Sequence, residues 1–366
     1  MNIQCYGGGL WRTWFDRDLG LAGKVIYRAK DSKKLSSALW DSEHAIMNIP
    51  SLCIHLDTER NEFKPNKETH LKPILATHCI DQIMGEGIEP NEDQTDLFNV
   101  KQKNFKTFLD RMSSDLGIDQ DQIVDFELSA YDHHKPAITG LHQEFVSSPR
   151  LDNLASSLCS LDSLIDFHLN GDKDNKDVSM IMLFDHEEVG SCTAQGADSN
   201  MVVEACERIM WNVKPDATKE DYFRAIRRSF LISADMAHAI HPNYPDKHQA
   251  QHHPKIHEGV VLKINANQRY VTDSVSAAIL RVLAAEATPP VPLQEVIIKQ
   301  DGACGSTIGP MIASKAGMKT IDIGAPQLSM HSIRETCGVV DLLYYKFLFS
   351  CFLNDYTKLS HDLLNE

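Results

Sequence analysis

Apolar and polar positions divide the chain into two textures. From residue 24 to 144 the sequence is polar and irregular, with loops such as Asn61-Glu62-Phe63-Lys64-Pro65-Asn66. Short alternating runs such as Ser51-Leu52-Cys53-Ile54-His55-Leu56, and a helical pattern over 104–116, predict a small β-rich domain with one or two helices. From about Pro149 onward, apolar runs of strand length alternate with longer helical patterns. The pattern predicts strands at 178–184, 230–234, 259–265, 295–299 and 320–323. It predicts helices at 154–169, 201–209, 222–228, 274–285, 308–316 and 333–353. Strands alternating with helices imply an α/β sheet covered on both faces.

Composition narrows the class. The 366 residues carry 51 acidic and 36 basic side chains, a net charge of −15, which argues against a protein built to hold nucleic acid or an anionic membrane. No apolar run approaches the roughly 18 residues that a membrane span needs. The richest, over 342–353, is broken by Lys346 and reads as a core-facing terminal helix. The N-terminus, Met-Asn-Ile-Gln-Cys-Tyr-Gly-Gly-Gly, has neither the basic flank nor the apolar core of a signal peptide. Nine cysteines without a CxxC pair fit free thiols in a reducing compartment, so the cytosol is the expected setting. Seventeen histidines direct attention to metal or acid–base chemistry.

The informative chemistry lies where strand patterns end. The apolar run Val178-Ser-Met-Ile-Met-Leu-Phe184 meets Asp185-His186-Glu187-Glu188-Val189-Gly190. In open α/β sheets, ligands collect outside the carboxyl ends of strands. Adjacent Glu187 and Glu188 repel each other unless a cation compensates, and one can hold a metal while its neighbour handles a proton. A solvated turn is the plain alternative. The pattern recurs in Phe230-Leu-Ile-Ser-Ala234, which ends in Asp235 and His238, and in Thr320-Ile-Asp-Ile323, which leads to His331. Asp152 opens a helical pattern and, taken alone, reads as an N-cap. Together Asp152, Glu188, Asp235 and His331 form a carboxylate–imidazole set suited to zinc, manganese or cobalt.

Several segments match a known family in order: Tyr6-Gly-Gly-Gly9 with Trp14-Phe15-Asp16-Arg17-Asp18-Leu19, Arg150-Leu-Asp-Asn153, Asp185-His-Glu-Glu-Val-Gly190, Ser233-Ala-Asp-Met-Ala-His238 and Met330-His-Ser-Ile-Arg-Glu335. The chain resembles the aspartyl aminopeptidases, cytosolic binuclear-zinc metallopeptidases of the M18 family. The resemblance implies an α/β fold with a mixed sheet flanked by helices, the catalytic domain comprising 1–23 and 145–366. Residues 24–144 would be an inserted β-rich dimerisation domain. It implies Asp152 as the bridging metal ligand, Glu188 and His331 as further ligands of one zinc, Asp235 as a ligand of the second, and Glu187 as general base. Lys263, Tyr270 and His238 match substrate-binding positions, and His55 matches a residue that reaches a neighbouring subunit's site. The implied substrates are peptides beginning with Asp or Glu, and the implied assembly is a homo-oligomer, from dimer to dodecamer, without nucleic acid or membrane partners. From residue chemistry alone, Lys263 in Val260-Val-Leu-Lys-Ile264 reads as an outward-pointing strand lysine, and His55 as a surface histidine.

One departure stands out. The family carries a His-x-Asp motif upstream of the Tyr-Gly-Gly-Gly loop, and its histidine binds the second zinc; no such motif precedes Tyr6. The expectation is a catalytic domain lacking its N-terminal part, with the second zinc site short of a histidine. Two readings follow: an incomplete gene model of an active enzyme, or a catalytically impaired short form acting as an oligomer subunit or interaction protein. Gly7-Gly8-Gly9 lacks the Lys-Ser/Thr of a phosphate loop and reads as a close backbone approach at the site rim. Cys304, in a glycine-rich loop, is a weaker candidate as thiol nucleophile. His248, His252, His253 and His257 read as an exposed loop, as do His133 and His134.

Overall fold

The computed structural model describes residues 1–30, 34–77, 79–80 and 106–364. The chain divides into two compact units, residues 1–5 with 10–135, and residues 6–9 with 136–366.

The first unit is built on a three-stranded antiparallel sheet. Strands β1 (Leu19–Arg28), β2 (Leu35–Asp41) and β3 (Ile123–Asp132) pair in the order β2-β1-β3, and helix α1 (Lys106–Leu116) belongs to the same unit. Trp40 of β2 meets Phe108 of α1 edge to face, and its indole N–H donates to Asp115 at 3.0 Å, so one side chain supplies both the apolar and the polar part of that contact. Gly23 faces β3 so closely that a Cβ would meet the Glu127 carbonyl oxygen at 2.1 Å. Position 24, the expected domain boundary, falls inside β1, whose ladder with β3 begins at Leu19↔Asp132. The alternating run at 51–56 is not a strand. It forms an exposed turn with Leu56 N–H donating to Cys53 C=O, because alternation marks a pleat only where a neighbour supplies the ladder. The predicted helix over 104–116 appears as α1; residues 104 and 105 lie outside the described residues.

The second unit is a mixed α/β sheet with helices. Its elements are β4 (Ala137–Thr139), β5 (Phe145–Ser148), α2 (Leu151–Asn170), α3 (Met201–Val213), α4 (Lys219–Arg228), β6 (Phe230–His238), β7 (Val260–Ile264), α5 (Ser274–Glu286), β8 (Leu293–Ile297), α6 (Gly309–Ala316), β9 (Lys319–Leu328), β10 (Glu335–Gly338) and α7 (Val339–Leu364). The sheet runs β4-β5-β10-β9-β7-β8, with β6 also on β9. Pairs β6–β9 and β7–β8 are parallel, while β7–β9, β9–β10, β5–β10 and β4–β5 are antiparallel. Strand alternation separates the two faces. Phe230, Ile232, Ala234 and Met236 join the core formed with α2, α5 and α7, whereas Leu231 joins Val202 of α3 and Ile312 of α6. The same parity sends Asp235 of β6 and Lys263 of β7 away from the main core.

Two predicted elements differ from the structure. Residues 178–184 form no ladder with any described strand, and Val178 and Leu183 are exposed. An apolar run specifies burial, but a strand also needs a neighbour's N–H and C=O groups. The helix predicted over 333–353 starts at Val339, because Glu335–Gly338 first pairs with β5 and β9 as β10. On α2, Leu154, Leu158, Leu161, Ile165 and Leu169 are exposed, leaving an apolar stripe opposite Leu151, Ala155 and Cys159 of the core. No helix among the described residues is long and apolar enough to cross a membrane.

Candidate metal centre and catalytic site

Three segments of the second unit deliver the central side chains. Leaving β5, the chain turns through Arg150 at φ 57° and enters α2, where Asp152 and Asn153 keep non-helical dihedrals. The N-cap position of this helix is Arg150, and Asp152 follows in the first turn, so the N-cap reading does not hold. Glu187 and Glu188 lie in a single 3-10 turn after His186, which has a left-handed backbone at φ 62°. His331 lies between β9 and β10, also left-handed at φ 62°. The loop around Glu188 is tied down by Asp185 N–H to Gln195 C=O and Ser191 N–H to His186 C=O.

These segments bring Asp152, Glu188 and His331 together, with one ligand atom from each lying within 4.8 Å of the others. His331 Nε2 is 3.2 Å from Glu188 Oε1 and 3.4 Å from Asp152 Oδ2. The glycines at the N-terminal end of this unit abut the same cluster. A Cβ on Gly7, at φ 76°, would sit 3.1 Å from Glu188 Cβ, and one on Gly8 would sit 3.3 Å from His331 Nδ1. The run is therefore a close backbone approach to the site, as its lack of a phosphate-loop motif suggested.

Electrostatics shows what the cluster lacks. Hydrogen bonds to Asp152 and Glu188 push the His331 imidazole up to about 11, so a proton on the ring compensates the two acids. Burial, with the charges of Asp235 and Glu188, pushes Asp152 up to about 8 despite its bond to His331. Two carboxylates and an imidazole gathered round a compensating positive charge fit a divalent cation in place of that proton, and their oxygen and nitrogen atoms are ordinary zinc donors. Among the described residues no other group of three or more such side chains is within mutual reach, and the histidines at 248, 252, 253 and 257 form none.

Glu187 is exposed at the edge of this cluster. The protein packed around its carboxyl group, reinforced by Asp235 and Glu188, raises it to about 7. It lines a cleft of about 420 Å³ together with Asp152, Glu188 and Asp235.

Asp235 is not part of the three-residue cluster. Its Oδ2 accepts from the Lys263 ammonium at 2.6 Å. Burial opposes the charge on Asp235, but the ammonium and its hydrogen bonds prevail and hold the carboxyl below its ordinary range. Lys263 is 4% exposed, so it is not an outward-pointing strand lysine. Its Nζ also lies 5.5 Å from the centroid of the buried Tyr270 ring. His238 ends β6, reachable by solvent; the protein around its ring and the charge on Lys263 lower it to about 4, keeping the imidazole neutral. It lines a second cleft of about 430 Å³ with His248 and Lys299. His55 is exposed on a turn of the first unit. Cys304 Sγ accepts from Asn265 Nδ2 at 3.4 Å in a half-buried loop.

Two buried acids near the site had no role in the sequence reading. Glu335 accepts from the backbone N–H groups of Asp152 and His331. Asp322, fully buried on β9, accepts from Thr307 Oγ1 at 2.7 Å and from Val271 N–H at 2.6 Å, tying together the loops around Tyr270 and Cys304. Asp322 left a signal, an acid inside the strand pattern 320–323; Glu335 left none beyond its place in the last matched motif.

Comparison with known proteins gives the family. A family model described as aminopeptidase I zinc metalloprotease (M18) matches residues 1–353. A probable aspartyl aminopeptidase of Ricinus communis is 44% identical over 380 residues, covering 99% of this chain and 77% of that protein. A cryo-EM structure of the Ape4 and Nbr1 complex superposes at TM-score 0.86 with 38% identity, covering 99% of this chain and 67% of the matched one. The mApe1 dodecamer of S. cerevisiae superposes at 0.80 with 28% identity, covering 99% of this chain and 74% of that one.

Proposed function

The chain belongs to the M18 family of aminopeptidase I zinc metalloproteases and is a metalloaminopeptidase; we propose that it releases aspartate or glutamate from the N-termini of peptides. The observation that carries this reading is the meeting of Asp152, Glu188 and His331, with Glu187 lining the same cleft as Asp152 and Glu188. In the proposed assignment, Asp152, Glu188 and His331 hold zinc. When bound there, zinc supplies a Lewis acid that polarises the scissile carbonyl and acidifies water. Asp235 contributes to a second ion's site, and the resemblance would have Asp152 bridge the two.

Glu187 is the general base in this reading. A carboxyl raised to about 7 is half ionised near neutral pH, so it can take the proton of the attacking water and return it to the departing amine. Lys263 supplies the cation that an acidic side chain needs, held in a water-poor strand and backed by Tyr270. His238, at the end of β6 and within the influence of the Lys263 charge, is a neutral imidazole available for hydrogen bonding. The Gly7-Gly8 backbone closes the rim against Glu188 and His331.

The name aspartyl aminopeptidase on relatives such as that of Ricinus communis supports the acidic preference. The dodecamer formed by mApe1 supports a homo-oligomer, in which we assign residues 24–144 to dimerisation and His55 to a neighbouring subunit's site. Nine free cysteines suit a reducing compartment, and we assign the protein to the cytoplasm. The test is hydrolysis of chromogenic Asp-, Glu- and Leu-anilides by the zinc-loaded protein. Cleavage of the acidic pair at least tenfold above Leu, abolished by a chelator and restored by zinc, is the expected result; equal rates on all three would remove the substrate assignment.

A further inference from the structure

Glu335 has no place in the ligand set, yet its carboxylate holds two of its members. It is 2% exposed, on β10, four residues beyond His331. Its Oε1 accepts from the His331 backbone N–H at 2.7 Å, and its Oε2 accepts from the Asp152 backbone N–H at 2.9 Å, a residue 183 positions away in the chain. The sheet sets this up. Glu335 pairs with Ser148 across the β5–β10 ladder, and the chain leaving β5 turns through left-handed Arg150 to present the Asp152 amide. His331 is itself left-handed at φ 62°, a conformation that a non-glycine residue keeps only where its surroundings enforce it.

We propose that Glu335 is a positioning residue for the zinc centre. It ties the backbones of Asp152 and His331 to one buried carboxylate, so that the two side chains face each other before the ion arrives. This rests on the zinc assignment made above. A buried carboxylate is tolerable only when hydrogen bonded, and charge-assisted bonds to backbone N–H groups are shorter and stronger than neutral ones. One carboxyl group bonded to both ligand backbones fixes their separation. Partners one layer behind metal ligands typically change metal affinity by about 10- to 100-fold when removed.

The experiment measures zinc affinity by chelator competition on the metal-stripped full chain. Glu335→Gln keeps the size but turns an N–H donor toward a backbone N–H. The expected result is about a 10- to 100-fold weaker zinc affinity, with a native circular dichroism spectrum. Asp341→Asn is the control. Asp341 is another fully buried acid, accepting from the His257 and Gly259 N–H groups at 2.6 and 3.0 Å, and its loss should lower the Tm while zinc affinity stays within about twofold. Should Glu335→Gln fail to fold, Glu335→Asp takes its place, and a clearly weakened affinity supports the proposal. Zinc affinity unchanged in the Glu335 variant, or weakened equally in the Asp341 control, overturns it. Wild-type protein that binds no zinc would remove the zinc assignment itself, and this proposal with it.

Discussion

Lys263 and Asp235 meet at 2.6 Å, the ammonium of β7 reaching the carboxylate of β6 across the intervening strand β9. Each has a proposed task elsewhere, Lys263 toward an acidic substrate side chain and Asp235 toward a second ion. Their contact holds the Asp235 carboxyl below its ordinary range despite its burial. Removing the cation should act on stability and on specificity together. For Lys263→Met the expectation is a loss of about 3 kcal/mol in the metal-free protein, read from denaturant unfolding, because a largely buried carboxylate is left unpaired. The rate advantage for Asp- over Leu-anilide should fall by at least tenfold. Preserved selectivity would show that another group reads the acidic side chain.

Glu187→Gln separates base from ligand. The amide cannot take a proton, so kcat should fall about 10²- to 10⁴-fold while bound zinc, measured by atomic absorption, stays near normal. A loss of zinc with the activity would place Glu187 among the ligands instead.

Zinc binding should depend on pH in a defined direction. His331 is raised to about 11 and Asp152 to about 8, so near neutral pH both hold protons that an incoming ion must displace. Calorimetry in buffers of different ionisation enthalpy should detect release of about one proton or more per zinc at pH 7. The metal-free protein shows the same linkage in its stability. Both folded pKa values lie above the unfolded ones, so this stabilisation is complete at low pH. It is lost between about pH 4 and 8 for Asp152 and between about 6.5 and 11 for His331. The Tm in chelator should therefore fall as pH rises from 5 to 9, and a rising Tm would contradict the assigned protonation.

Gly7→Ala tests the rim. At φ 76° alanine is strained, and its Cβ would press on Glu188 Cβ from 3.1 Å. A destabilisation of more than about 1 kcal/mol, with weaker zinc binding, is expected from unfolding and metal titration.

The sequence made legible those parts of the fold where periodicity and pairing coincide. Helices α2 to α6 and strands β6 to β9 lie where apolar spacing predicts them, because each buries a face against a neighbour close by. Residues 178–184 carry the same apolar signal without a described partner strand, and residues after Ile333 form β10 before the helix because Glu335–Gly338 is captured by β5 and β9. Pairing of that kind depends on the whole sheet and leaves no local mark. At the site, the acids that end strand patterns were visible one by one, while their convergence depends on backbone turns at Arg150, His186 and His331, all left-handed. Glu335 escaped notice because a buried acid that bonds only backbone has no spacing to betray it.

The most direct test of the central claim is anomalous diffraction at the zinc edge from crystals of the zinc-loaded protein. The account predicts a peak about 2.0–2.2 Å from a carboxylate oxygen of Asp152, a carboxylate oxygen of Glu188 and Nε2 of His331. Zinc bound elsewhere, with these three side chains beyond coordinating distance, would contradict it.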